Sequence, residues 1–146
     1  MVVVYIDGDA CPVKTEIERV ATRHRIRAVL VSNGGLRPSA NPLLEIVTVP
    51  ATQDAADNWI VDHVVAGDLV ITDDIYLAAR CIAKQTLVLK TDGKKLTEAN
   101  IGGILASRDL MADIRSANPF FSGKAKAFKK KDRYLFIDSL ETLLRE

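Results

Sequence analysis

Short apolar runs alternate with amphipathic segments through the first ninety residues of this chain. Val2-Val3-Val4-Tyr5-Ile6 is a continuous apolar run of strand length, rich in β-branched residues, and predicts a buried strand over 2–6. Pro12 suits the first turn of a helix whose apolar face is Val13, Ile17, Val20 and Ala21. Further strands are predicted over 27–32, 46–49, 69–72 and 86–89. Between them, a helix opens at Asp54, buries Ile60, Val61, Val64 and Val65, and stops at Gly67. Another spans 74–84 with Leu77, Ala78, Cys81 and Ile82 inward. Strands that alternate with helices predict an α/β fold with a mainly parallel central sheet, because parallel neighbours need long crossover connections and a helix is the usual one.

Beyond Thr91-Asp92-Gly93, a turn, the rhythm changes. The pattern predicts two helices, 97–106 and 108–117, broken near Ser107. Residues 118–133, rich in Pro, Gly and Lys, predict a long basic loop, and 134–145 a last amphipathic helix. With no internal repeat and no linker, the 146 residues read as one domain, 1–146.

Composition adds exclusions. No run approaches the ~18 apolar residues of a membrane span, and the start of the chain lacks the charged region and cleavage site of a signal peptide. Cys11 and Cys81 fit neither a disulfide framework nor a zinc pattern, which points to a reducing cytoplasm. The net charge of +1 says little, but its distribution says more. Residues 1–116 carry 13 Lys/Arg against 15 Asp/Glu, and residues 117–146 carry seven against four.

Three acidic pairs carry the candidate chemistry. Asp7 and Asp9 follow the first strand, Asp73 and Asp74 follow the fourth, and Asp54 and Asp57 lie one helical turn apart after the third. In an open parallel sheet ligands bind beyond the C-terminal strand ends, so six carboxylates are expected to share one edge. Like charges so gathered raise one another's pKa or recruit a cation, and Mg²⁺ or Mn²⁺ suits oxygen ligands. Structural alternatives stand beside this: Asp54 or Asp74 as a helix cap, Asp57 as a first-turn carboxylate, Asp68 as a turn residue. Asn33 reads as a group that orients a metal-bound water or a phosphate, or else as a turn residue. Cys11 reads as a small buried residue.

Asp7-Gly8-Asp9-Ala10-Cys11-Pro12, Val31-Ser32-Asn33, Asp54-Ala55-Ala56-Asp57-Asn58-Trp59-Ile60 and Gly67-Asp68-Leu69-Val70-Ile71-Thr72-Asp73-Asp74 together resemble the bacterial YaiI/YqxD family, with Asn100-Ile101 and Asp132-Arg133 also in its pattern. The resemblance covers nearly the whole chain. It implies a PIN-like three-layer α/β/α domain. Through the wider PIN-like group it implies a metal-dependent nuclease, with Asp7, Asp57 and Asp73 as the catalytic metal group and Asp9, Asp54 and Asp74 in support. Mg²⁺ or Mn²⁺ is the expected cofactor.

The segment 120–133 interleaves basic residues with Phe120, Phe121 and Phe128. Lys124, Lys126, Lys129, Lys130, Lys131 and Arg133 are the expected phosphate contacts, with Asn33 at the sheet edge; the plainer alternative is a solvated loop pinned by its phenylalanines. The expected partner is nucleic acid, RNA before DNA; no membrane is expected, and the reading leaves room for a homodimer. Two other functions stay open. One is a PIN-like module that binds RNA or assembles into a complex without catalysis. The other is a phosphatase of the haloacid dehalogenase type, with Asp7 as nucleophile, Asp9 as general acid and Ser32 on the phosphate; no Lys lies between Ser32 and Asp73 to complete it.

Overall fold

The computed structural model describes residues 2–8, 11–34, 39–117 and 128–145. In chain order they form β1 (Val4–Asp7), α1 (Lys14–Arg23), β2 (Ala28–Ser32), β3 (Leu44–Thr48), α2 (Ala55–His63), β4 (Leu69–Ile71), α3 (Ile75–Ile82), β5 (Leu87–Leu89), β6 (Lys95–Leu96), α4 (Glu98–Ala117) and α5 (Lys130–Arg145). All six strands lie in one sheet, ordered β3-β2-β1-β4-β5-β6. The first five run parallel, and β6 lies antiparallel to β5 at the edge.

Successive side chains of a strand point to opposite faces, and that alternation sorts the core into two halves. Val4, Ile6, Leu30, Leu69, Ile71 and Leu89 pack beneath Ile17, Val20 and Ala21 of α1 and Phe136, Leu140 and Leu144 of α5. Tyr5, Val29, Val31, Val70 and Val88 face the other way, toward Ile60 of α2 and Leu77, Ala78 and Cys81 of α3. Ile101, Ile104 and Leu105 of α4 join that second half. The architecture is thus three-layer α/β/α around a mostly parallel sheet, as the alternation of elements predicts. Burying Phe136 or Leu140 completely is worth roughly 1.5–3 kcal/mol each, so α5 belongs to the core. No described helix is long and apolar enough to cross a membrane.

Strand order fixes where a ligand can go. From β1 the chain moves outward through β2 to β3, then returns to the other side of β1 to lay down β4. Connections therefore diverge between β1 and β4, and the crevice beyond their C-terminal ends is the natural binding position.

Two glycines shape that edge. Gly8 donates its amide to the Val31 carbonyl at 2.8 Å, and a Cβ there would stand 2.7 Å from the same oxygen. Gly93, at φ 91°, carries the β5–β6 turn against α5, where a Cβ would stand 2.6 Å from the Leu135 carbonyl oxygen. Ser139 Oγ donates to the Gly93 carbonyl at 2.8 Å and completes that contact.

Four local expectations are corrected. First, α4 is one continuous helix across Ser107, not two, because packing of Ile101, Ile104 and Leu105 outweighs the weak propensities of Gly102, Gly103 and Ser107. Second, α5 begins at Lys130 rather than at residue 134, so residues assigned to the loop form its first turn. A cap explains the early start: Asp132 accepts the Lys129 amide at 2.9 Å. Third, α2 ends at His63, which leaves Val65 exposed rather than buried. Fourth, β6 is a strand that the pattern does not announce.

Candidate functional site

Asp7 is the last residue of β1, in register with Val31 of β2. Its carboxylate accepts a hydrogen bond from Thr72 Oγ1 at 3.0 Å. Thr72 leaves β4 fully buried and in turn accepts the Asp74 amide at 3.0 Å. One threonine hydroxyl thereby ties the end of β1 to the start of α3 across the crevice.

Asp74 is the N-cap of α3, and its Oδ1 accepts the amides of Tyr76 at 2.9 Å and Leu77 at 3.2 Å. The capping alternative describes that oxygen. Asp54 differs. It occupies the N-cap position of α2 with a left-handed backbone, φ 62°, and its side chain caps nothing. Asp tolerates that conformation better than most residues, and the twist leaves its carboxylate exposed at the crevice.

Asp7, Asn33, Thr52, Asp54 and Asp57 line one cavity of about 230 Å³. Asp57, in the first turn of α2, has its pKa pushed up to about 6. Burial is the largest cause, followed by the charges of Asp74 and Asp7, a hydrogen bond to Asp74, and the charge of Asp54. Four carboxylates, from β1, α2 and the head of α3, therefore act on one another here.

Asp73 is turned elsewhere. Its Oδ1 accepts the Thr91 amide at 2.9 Å and its Oδ2 the Thr91 hydroxyl at 2.6 Å, so both oxygens are held from the end of β5. Its charge still reaches Cys11, together with that of Asp7. Burial is the main cause of the raised Cys11 pKa, so this thiol has the character of a buried residue rather than a nucleophile. Asp9 lies outside the described residues. Ser32 uses its hydroxyl locally, accepting the Gly34 amide at 3.2 Å. Asp68 is a buried turn residue that accepts the amides of Val3 and Val65.

The donor set is carboxylate, amide and hydroxyl oxygen, which is the chemistry of a hard divalent cation. Among the described residues, no group of three or more His, Cys, Asp or Glu side chains is placed to hold a metal ion. Mg²⁺ seldom needs one: it commonly takes one or two carboxylates and keeps several waters. A cleft in which burial, and then the charges of Asp74, Asp7 and Asp54, raise the pKa of Asp57 fits such an ion, because added positive charge favours the ionised carboxylate.

The basic residues divide. Lys129 and Lys131 line a cavity with Lys94. Lys130 is exposed, 6.0 Å from the Tyr134 ring. Arg133 is engaged inward, pairing with Glu16, donating to the Pro12 carbonyl at 3.2 Å and lying 5.3 Å from the Phe128 ring. Lys124 and Lys126 lie outside the described residues. Sequence reasoning missed Thr52, Thr72, Thr91 and Lys94. The two positioning threonines did carry a signal, since each follows a strand at the binding edge.

The model of the YaiI/YqxD family, described as an uncharacterized BCR, matches residues 5–146. A UPF0178 protein of Roseobacter denitrificans is 60% identical over 146 residues, covering 100% of this chain and 97% of its own. One from Ruegeria pomeroyi is 56% identical over 146 residues, covering 99% of this chain and 95% of its own. One from Parvibaculum lavamentivorans is 46% identical over 141 residues, covering 97% and 92%. No solved structure matches the chain.

Proposed function

The chain belongs to the YaiI/YqxD family, and on that footing we propose that it is a divalent-metal-dependent nuclease of PIN-like type that hydrolyses phosphodiester bonds in RNA. The observation that carries the reading is the acidic cleft at the β1–β4 crevice, where burial, and then the charges of Asp74, Asp7 and Asp54, push the pKa of Asp57 up to about 6.

In this reading Asp7 and Asp57 hold Mg²⁺ or Mn²⁺, with Asp54 and Asp74 adding negative charge around them. Such an ion supplies an acidified water and neutralises charge that builds on the phosphate. Thr72 fixes the Asp7 carboxylate through its hydroxyl, so that ligand is oriented before anything binds. As a ligand Asp57 would have to be ionised, which would couple cation affinity to pH. Asp73, held by Thr91, steadies the rim and adds charge. Asn33 lines the same cavity and brings a side-chain amide to it.

The test is cleavage of a labelled single-stranded RNA by purified protein with Mn²⁺. Cleavage that disappears in Asp7→Asn and Asp57→Asn, at unchanged fold, supports the reading. Cleavage that persists in excess chelator overturns it. Absence of cleavage by the wild type, with RNA still bound, replaces it with the non-catalytic module.

A further inference from the structure

Two cavities lie outside the acidic cleft, and one residue belongs to both. The first, of about 430 Å³, sits between the β5–β6 turn and the head of α5 and is lined by Lys94, Lys129, Lys131 and Ser139. The second, of about 490 Å³, follows α4 and is lined by Lys94, Gly103, Ile104 and Arg108. Lys94 lines both, which makes them neighbours; the two together are the basic trough of α4, the β5–β6 turn and the first turn of α5.

No carboxylate of a described residue forms an ion pair with Lys94, Arg108, Lys129 or Lys131. Of the two acids on the trough wall, Asp92 accepts the Lys94 amide at 3.0 Å and pairs with Lys90 at 3.9 Å, and Asp132 accepts the Lys129 amide at 2.9 Å. Along α4 the floor is open and partly apolar, since a Cβ on Gly103 would meet nothing within 4 Å. Spaced cations beside an apolar floor match a polymer with a charged backbone and flat bases, and an unpaired strand can present both at once. One wall residue of the trough is next in the chain to the residue that holds Asp73. Asp92 follows Thr91, which holds Asp73, and the neighbouring Asp74 faces Asp57.

We propose that this trough seats a single-stranded nucleic acid beside the acidic cleft, with Lys94, Arg108, Lys129 and Lys131 on its phosphates. The identity of the polymer rests on the nuclease reading; the charge and shape of the trough do not. Lys94 and Arg108 lie outside the basic segment that the sequence singles out, so the track runs over α4 as well as α5.

The experiment is fluorescence anisotropy of a fluorescein-labelled single-stranded 12-mer RNA in EDTA, from 50 to 200 mM KCl. The triple variant Lys94→Gln, Arg108→Gln, Lys131→Gln is expected to bind at least tenfold more weakly at 100 mM salt. Its salt slope should flatten by about 2, at ~0.7 per phosphate contact. Gly103→Glu, a change that favours the helix and places a carboxylate on the floor, should weaken binding as well. Circular dichroism and the Mn²⁺-induced rise in melting temperature should match wild type in both. Unchanged affinity and slope in both variants overturn the trough and leave the nuclease reading intact. Failure of the wild type to bind the RNA also overturns the trough. Variant-sensitive binding without cleavage in Mn²⁺ keeps the trough and removes the nuclease.

Discussion

Asp57→Asn should stabilise the metal-free protein at neutral pH. In the folded chain the pKa of Asp57 stands at about 6 against 3.8 for the free side chain. The protonated form is therefore the one the fold favours. Its stabilising contribution is complete below pH ~4 and is lost as pH rises through about 6. At 1.36 kcal/mol per pKa unit the shift amounts to ~3 kcal/mol, but Asp57 is partly exposed, and solvent screening brings the expected effect to ~1 kcal/mol. Asparagine keeps the shape and can donate the same hydrogen bond to Asp74 without ever acquiring charge. The assay is urea denaturation in EDTA at half-unit steps from pH 3.5 to 8. Wild type should lose ~1 kcal/mol relative to the variant between about pH 4 and 6.5, a melting difference of ~2–4 °C at pH 7.5 for a chain of this size. Parallel pH curves for the two proteins would refute the electrostatic account of the cleft.

Mn²⁺ at a hundredfold excess over its dissociation constant should stabilise the wild type by ~2.7 kcal/mol through mass action; the same rise in Asp7→Asn would place the ion elsewhere. Thr72→Val removes the donor to Asp7 and leaves the Asp74 amide without its acceptor, so it should cost ~1–3 kcal/mol in urea denaturation and weaken Mn²⁺ binding; unchanged Mn²⁺ affinity would deny Thr72 its positioning role. Asp73→Asn should impair RNA cleavage less than Asp7→Asn does, because Thr91 already donates to both oxygens of Asp73; equal losses in a single-turnover assay would place Asp73 in the metal group on a par with Asp7. Gly93→Ala should destabilise by ~3 kcal/mol, since it strains a positive φ and drives a methyl into the Leu135 carbonyl; a loss under 1 kcal/mol would show that the turn relaxes freely.

What could be seen in the sequence follows from how locally each feature is determined. The first, second and fourth strands announce themselves because a strand buried on both faces is apolar along its length, as residues 28–31 show. β6 is nearly silent: two residues long, it buries only Leu96, and its partner β5 defines it more than its own pattern does. The length of α4 depends on contacts with the rest of the α2–α3 face, so a reading confined to propensity breaks it at Ser107. The acidic edge was visible because Asp7, Asp73 and Asp74 terminate strands. Their division was not. Consecutive residues that leave a strand point in different directions, and only the position of Thr91, eighteen residues on, shows that Asp73 is drawn toward β5 while Asp74 meets Asp57. Likewise, composition gathers Arg133 with the lysines, but Glu16, supplied by α1, draws it to the core.

The placement of α5 bears on how the chain reaches its native state during synthesis. Phe136, Leu140 and Leu144 cover the same face of β1 that α1 covers in part. Every strand of the sheet is thus translated before the helix that seals this face exists. Until then Val4, Ile6, Leu69 and Ile71 remain open to water or to other nascent chains, and vectorial synthesis exposes that surface to misassembly. Gly93 meets Leu135 only once α5 docks, so the turn that borders the cleft reaches its final position in the same late event. A ribosome-bound intermediate halted before α5 should therefore recruit a holdase, whereas one halted after it should resist protease across the whole sheet.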